Sequence, residues 1–133
     1  SDILCTLTPS REPVVMDEWI SPGTHINAIG ADGTGKQELD PKILRRAKVV
    51  VDDIKQSSTG GEINVPIQKG IYSIHDIHGT LTDLVLGMIK GRVNSQDITV
   101  FDSTGIAIED IAVAGLIYEK ARQSGDYPTI DLV

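Results

Sequence analysis

Residues 25–51 alternate between apolar runs and polar turns in an order that restricts the fold more than any other part of the sequence. The apolar run at 25–29 predicts a strand, and the glycine-rich stretch 30–35 follows it directly. Asp40-Pro41 then predicts a helix start, because Asp accepts hydrogen bonds from free backbone N–H groups and Pro suits the first helical position. Residues 48–51 predict a further strand. A strand, a helix and a strand in this order indicate a βαβ unit and hence a parallel sheet.

The remaining apolar patterns predict four further elements. Residues 3–7 predict a buried strand, and 98–101 another strand. Apolar residues at helical spacing predict a helix from 81 to a stop at Gly91, with a capping box at Thr80-Leu81-Thr82-Asp83, and a long helix from 106 to 122. Residues 129–133 fit either a strand or a frayed end. The chain is therefore expected to be α/β, and its opening on an unprotected strand suggests that earlier strands are missing or come from another chain.

Composition excludes several function classes. Twelve Lys and Arg stand against 19 Asp and Glu, which gives a net charge of −7 and argues against nucleic-acid or anionic-membrane partners. The single Cys5 excludes an internal disulfide framework and a Cys-rich zinc site. His75 and His78 lack a third ligand nearby in sequence, so no metal site is predicted. No apolar run is long enough to cross a membrane and no secretory leader is visible, so the cytoplasm is the expected location.

The glycine-rich stretch partly matches two phosphate-binding signatures. Gly30 and Gly35-Lys36 have the spacing of a Walker A loop, but Gln37 replaces its hydroxyl residue and no helix is predicted to start there. A dinucleotide fingerprint that begins at Gly33 would need a glycine where Glu38 stands. The alternative is a flexible, solvent-facing loop between strand and helix.

The position of this loop favours a functional role. Ligands of open α/β sheets bind beyond the carboxyl ends of the strands, and the loop with Asp32 and Lys36 lies there. Thr8 follows the first predicted strand, and Ser103-Thr104 follows the last, so hydroxyl groups are expected at the same edge. Asp32 has the chemistry of a general acid or base, or of a partner for a substrate amine. An aspartate among glycines is, however, also a common turn residue.

These segments resemble the ornithine cyclodeaminase / mu-crystallin family, and most nearly its archaeal alanine dehydrogenase branch. The resemblance rests on Thr6-Leu7-Thr8, residues 23–32, 35–39 and 60–63, and Phe101-Asp102-Ser103-Thr104-Gly105. It implies an incomplete Rossmann-like, NAD(P)-binding three-layer sheet with a long C-terminal helix. Residues 1–104 would be the later part of the Rossmann-like domain, and residues 105–133 would return to a substrate and dimerisation domain.

The resemblance also assigns roles to residues. Asp32 matches the catalytic aspartate, which acts on the substrate amine or the attacking water, and Thr104 matches a substrate-binding position beside the nicotinamide. The positions that match dinucleotide contacts are Thr8, Ile29, Gly30, Ala31, Lys36 and Ser103.

The family also has features that this sequence lacks. Its members are much longer, and their G-x-G-x-x-G loop, ribose-binding acidic residue and substrate-binding Arg and Lys precede the matched region. The resemblance therefore implies the C-terminal portion of such an enzyme, inactive in isolation and weak in NAD or NADP binding. It leaves open which amino acid is the substrate and which of the two dinucleotides is used.

Two functions remain possible at this point. The first is part of an NAD(P)-dependent amino-acid dehydrogenase or ornithine cyclodeaminase. The second is a non-catalytic, mu-crystallin-like protein that binds a dinucleotide or another ligand. The first strand would need another strand to pair with, and the last helix, which is rich in small residues, would need a surface to pack against. Both predict a homodimer or a strand-exchanged oligomer.

Overall fold

Five parallel strands form a single sheet in the computed structural model, which describes residues 1–125, 127, 128 and 130. Their spatial order is β1-β2-β5-β3-β4. Their bounds are Ile3–Thr6 for β1, His25–Ala28 for β2, Lys48–Val51 for β3, Gly79–Thr80 for β4 and Thr99–Asp102 for β5. In the register of the sheet, Ala28 pairs with Thr6 on one side and with Asp102 on the other. The loops that follow β1, β2 and β5 therefore leave the sheet at one edge, as expected for an α/β fold.

Among the described residues, four short α-helices lie between the strands and a long helix follows the last strand, and side-chain caps fix where three of the short helices begin. The helices are α1 (Pro41–Arg46), α2 (Ile54–Gly60), α3 (Asn64–Gln68), α4 (Leu81–Val85) and α5 (Ala107–Ser124). The predicted cap of α1 is present, because the Asp40 side chain accepts a hydrogen bond from the Lys42 N–H at 3.0 Å. Thr80 and Asp83 form the predicted capping box of α4.

The hydrophobic core lies on one face of the sheet. Alternate residues of the central strands point into it, among them Ile26 of β2, Val100 of β5 and Val49 of β3. Leu39, in the loop before α1, and Ile43 in α1 cover this face and are fully buried. The other core residues are Val15, Ile20, Ala28, Leu44, Val51, Ile63, Tyr72 and Ile98.

The opposite face of the sheet borders a cavity of about 690 Å³. Polar side chains cross its floor: a ring nitrogen of His25 lies 2.7 Å from the Thr99 hydroxyl, and the other lies 3.1 Å from the Asn27 amide oxygen. Leu84 of α4 and Arg92, which lie outside the sheet, also line the cavity. This face is thus more polar than the core face.

Two sequence-based expectations were wrong. The first strand is not buried: Ile3 is 62% exposed and Cys5 is exposed, because β1 pairs with β2 alone among the described strands. The helix predicted from 81 to Gly91 ends at Val85, because Gly87 adopts a left-handed conformation (φ 71°) that stops it. The predicted long helix is confirmed as α5. Most of the predicted terminal element at 129–133 lies outside the described residues, which include only Ile130 of it.

Candidate functional site

Hydrogen bonds bring the loops after β1, β2 and β5 together at the carboxyl edge of the sheet. The N–H groups of Ile29 and Gly30 both donate to the carbonyl of Thr6, at 3.0 and 3.1 Å. The N–H of Ser103 donates to the carbonyl of Ala28 at 3.0 Å. Two of the three loops form a cleft of about 250 Å³, whose lining residues are Leu7, Thr8, Pro9, Ile29, Gly30, Asp32 and Lys36.

The structure therefore groups most, but not all, of the residues predicted for the site. Thr8, Ile29, Gly30, Asp32 and Lys36 line this cleft. Ser103 and Thr104 lie at the neighbouring strand end and do not line it, whereas Ala31 is fully buried. The helix α1 begins only at Pro41 and not at Lys36, where a Walker A loop requires a helix to start.

Asp32 and Lys36 form an ion pair at the mouth of the cleft. The Asp32 side chain is 61% exposed and the Lys36 side chain 25%. The hydrogen bond from Lys36, together with its charge, lowers the pKa of Asp32 below its ordinary value. Asp32 is therefore ionised at neutral pH and has the charge state of a proton acceptor.

The glycine-rich stretch is held by a buried side chain. The Asn64 amide oxygen accepts a hydrogen bond from the Gly35 N–H at 2.9 Å, and its amide nitrogen donates to the carbonyl of Lys36 at 2.9 Å. Gly35 has a φ of 81°, a conformation that L side chains rarely adopt. Asn64 thus fixes the turn that carries Lys36, and the interpretation of this stretch as a loose loop does not describe it.

Gly30 is the point where the loops after β1 and β2 touch. A Cβ at this position would lie 2.3 Å from the Thr8 carbonyl oxygen and 2.5 Å from the Thr8 nitrogen. No residue with a side chain fits without moving one of the loops. The glycine is therefore required by backbone packing.

Beneath this contact lies a set of buried carboxylates, Glu38, Glu62 and Asp102, which we call the carboxylate relay. Glu38 accepts hydrogen bonds from the N–H groups of Thr8 and Gly30, at 2.6 and 2.9 Å. Glu62 accepts from the N–H groups of Glu38 and Leu39, at 3.0 and 2.7 Å. Asp102 accepts from the Glu62 N–H at 2.9 Å, so each carboxylate holds the backbone of the next loop.

The relay is buried without cations. All three side chains belong to fully buried residues, and no ion pair found among the described residues includes any of them. Burial raises the pKa of Glu62 to about 8 and that of Asp102 to about 7, although the backbone N–H donors act in the opposite direction. Both groups can hold a proton near neutral pH.

A separate carboxylate holds the loop after β5. Asp52, at the end of β3, accepts hydrogen bonds from the Thr104 N–H at 2.5 Å and from its hydroxyl at 2.9 Å. Asp52 also accepts from the Ser57 hydroxyl at 3.2 Å. Because the Thr104 hydroxyl donates its hydrogen bond to Asp52, its oxygen retains only acceptor capacity.

Sequence reasoning overlooked Glu38, Glu62, Asp102, Asp52 and Asn64 as parts of the site. In the sequence, Glu38 departs from the dinucleotide fingerprint and belongs to the family-like segment 35–39, and neither observation predicts a role for its side chain. For two of them, the neighbouring residues gave a signal of burial. Glu62 stands between Gly61 and Ile63, and Glu38 precedes the apolar Leu39. Acidic residues in such surroundings are typical of buried acceptors for backbone N–H groups.

Among the residues that the structure describes, no helix has the length and apolar character needed to cross a membrane. Within the same residues, no group of three or more His, Cys, Asp or Glu side chains is placed to hold a metal ion. One ring nitrogen of His78 instead lies 2.7 Å from the carbonyl of Lys90.

The raised pKa of Glu62 predicts a pH-dependent stability. The folded chain binds the Glu62 proton more tightly than the unfolded chain, whose ordinary pKa is 4.5. The stability that this proton contributes is complete below about pH 4.5 and is lost as the pH rises towards about 8. The urea midpoint should therefore fall between pH 5 and pH 8, and Glu62→Gln, which cannot ionise, should make this fall shallower.

The matched control is Glu18→Gln, since Glu18 is an exposed carboxylate. It should keep the wild-type slope. Some slope should remain in Glu62→Gln, because the pKa of Asp102 is also raised. Equal slopes for wild type and Glu62→Gln would contradict the assignment of the proton to Glu62.

Comparison with known proteins agrees with the resemblance seen in the sequence. The family model of the ornithine cyclodeaminase/mu-crystallin family matches residues 1–125. The alanine dehydrogenase of Archaeoglobus fulgidus is 57% identical over 120 residues, which are 90% of this chain and 37% of that protein. The iminosuccinate reductase of Paracoccus denitrificans is 38% identical over 125 residues, or 94% of this chain and 38% of that protein.

Solved structures agree with the sequence comparison. An archaeal alanine dehydrogenase dimer with bound NAD matches with a TM-score of 0.89 and 52% identity, over 99% of this chain and 41% of that one. The Δ1-pyrroline-2-carboxylate reductase of Thermococcus litoralis, in complex with NADH and L-proline, matches with a TM-score of 0.89 and 42% identity, over 98% of this chain and 41% of that one. The Rossmann-like α/β fold is thereby confirmed. The chain spans less than half the length of these relatives, and it belongs to the ornithine cyclodeaminase/mu-crystallin family.

Proposed function

We propose that this chain is the C-terminal, cofactor-binding portion of an NAD(P)-dependent amino-acid oxidoreductase or cyclodeaminase. One observation carries the proposal: Thr8, Gly30, Asp32 and Lys36 line one cleft at the carboxyl edge of a Rossmann-like sheet. Dinucleotides bind at this edge in such sheets. The relatives with bound NAD or NADH and high structural similarity support the same assignment.

The chemistry of the cleft suits a dinucleotide. Gly30 lines the cleft without a side chain, Lys36 supplies a positive charge for a phosphate, and Thr8 supplies a hydroxyl. We assign the dinucleotide contacts to these residues together with Ile29, Ala31 and Ser103. Because Ala31 is buried, it would act through the backbone of its neighbours. When bound, NAD(P) would supply the hydride acceptor or donor.

Asp32 is proposed to act on protons. Its ionised carboxylate is exposed at the mouth of the cleft, where it can accept a proton from a substrate ammonium group or from an attacking water. The ion pair with Lys36 stabilises the ionised form of Asp32. Thr104 is proposed to face the substrate with its hydroxyl oxygen as an acceptor, because the hydroxyl donates its hydrogen bond to Asp52.

The two parts of the chain are proposed to have different partners. Residues 1–104 form the cofactor portion, and residues 105–133 contact a substrate and dimerisation domain. Five large apolar residues of α5 are more than half exposed, which supports a docking role: Ile108, Ile111, Val113, Leu116 and Ile117. A homodimer fits this surface, and the archaeal alanine dehydrogenase relative is a dimer.

We propose that the 133 residues alone are inactive and bind NAD or NADP weakly. They contain no G-x-G-x-x-G loop, which in Rossmann-like domains cradles the pyrophosphate on backbone N–H groups. Isothermal titration calorimetry of this chain with NAD should give a Kd well above the micromolar range. Micromolar binding would contradict this part of the proposal.

The role of Asp32 predicts the effect of Asp32→Asn in the full-length protein that carries this chain. Loss of a general base costs about 10²- to 10⁴-fold in rate, so kcat with NAD(P) and an amino acid such as alanine, ornithine, lysine or proline should fall by at least about 100-fold. The Kd for the dinucleotide should change by less than about threefold, because the fold and Lys36 remain.

Two results would contradict this role. Unchanged turnover in Asp32→Asn would remove Asp32 from the chemistry. A wild-type protein that binds the dinucleotide but turns over none of these amino acids would favour the non-catalytic, mu-crystallin-like alternative. Glu18→Gln is the matched control and should leave both kcat and Kd at wild-type values.

A further inference from the structure

The loops that follow β1 and β2 need a support beyond the sheet. Strand pairing between them ends at Thr6 and Ala28, whereas the proposed dinucleotide contacts Thr8 and Gly30 lie two residues further on. The N–H groups of Thr8 and Gly30 are both bound by the same side chain, the carboxylate of Glu38. Each N–H uses a different oxygen, Oε1 for Thr8 at 2.6 Å and Oε2 for Gly30 at 2.9 Å.

Glu38 is itself fixed from several directions. Its carbonyl accepts hydrogen bonds from the N–H groups of Val14 and Val15, at 2.7 and 3.0 Å. Its own N–H donates to the Glu62 carboxylate, which Asp102 in turn holds through the Glu62 N–H. The residue is fully buried. The carboxylate therefore has a defined position, because the backbone of Glu38 is bound to Val14, Val15 and Glu62.

We propose that Glu38 is a positioning residue for the dinucleotide: its buried carboxylate fixes the distance between the two loops that line the cofactor cleft. The proposal rests on the proposed function, since it presumes that the cleft binds NAD or NADP. Glu38 acts through the backbone of Thr8 and Gly30 and does not itself line the cleft.

The geometry explains why this position holds a carboxylate. Two N–H donors converge on the side chain, and a carboxylate offers an acceptor oxygen to each. An amide of the same shape offers one acceptor and one NH₂ group, which would face an N–H donor. Gly30 is already in close contact with the Thr8 backbone. The loops therefore cannot shift to separate the NH₂ group of the amide from the N–H donor that it would face. Glu38→Gln is thus a conservative change in volume that removes one of the two links.

The test compares Glu38→Gln with wild type in the full-length protein. Loss of one hydrogen bond to a charged group corresponds to about 10-fold in binding. We expect the KM for NAD or NADP to rise by about 10-fold or more, while kcat at saturating dinucleotide falls by less than about threefold. Glu18→Gln, the exposed control, should leave both constants unchanged. An unchanged KM in a Glu38→Gln protein that folds like wild type would overturn the proposal.

A second measurement applies even if Glu38→Gln does not fold. Hydrogen exchange of the wild-type protein should show the amide of Thr8, which donates to Glu38, protected at least about 100-fold relative to an unstructured peptide, although Thr8 lies in a loop. Gly30 does not serve as a readout, because its N–H also donates to the carbonyl of Thr6 at 3.1 Å. Exchange at the unstructured rate would overturn the proposal. Its failure is distinct from that of the proposed function: a wild-type protein that binds neither NAD nor NADP overturns the function, whereas an unchanged KM beside normal binding overturns the role of Glu38 alone.

Discussion

Hydrogen bonds from backbone N–H groups to buried carboxylates are the interactions on which the rest of this structure depends. The loops that follow the strands of a parallel sheet lie beyond the last strand-pairing hydrogen bonds. Their buried backbone N–H groups therefore need other hydrogen-bond acceptors. Glu38, Glu62 and Asp102 provide acceptors for the loops after β1 and β2 and for the turn before α3. The burial of these groups is costly, and their N–H donors offset part of that cost. The shape of the cleft follows from this arrangement.

The same arrangement separates two kinds of acidic residue at the edge. Asp32 is exposed and paired with Lys36, so its charge is available to a ligand. The relay carboxylates are buried and have no ion-pair partner among the described residues, and two of them have pKa values raised to the neutral range. The acidic residues of the chain therefore do more than argue against nucleic-acid and membrane partners. Some of them are buried hydrogen-bond acceptors that hold the loops. One acidic set is suited to chemistry and the other to holding the loops that carry it.

Local patterns in the sequence predicted the elements whose signals are themselves local. The strand at 25–28, the Asp40 cap and the Thr80 capping box were recovered because their determinants lie within a few residues. The relay escaped prediction because its partners are distant: Glu38 and Thr8 are separated by 30 residues, and Asp102 and Glu62 by 40. Exposure of β1 and early termination of α4 likewise depend on pairing and on one left-handed glycine. Thr8, Asp32 and Lys36 of the cleft were predicted from their position after the strands, and Ile29 and Gly30 from the resemblance, whereas the relay was found only through its contacts.

The central claim is that the carboxyl edge held by these carboxylates is the cofactor edge of the protein. A crystal structure of the full-length protein grown with NAD or NADP tests it most directly. The account predicts a dinucleotide within contact distance of Thr8, Gly30 and Lys36, with the Glu38 carboxylate still bound to the N–H groups of Thr8 and Gly30. A dinucleotide bound elsewhere, such as on the opposite sheet face beside His25 and Phe101, would contradict it.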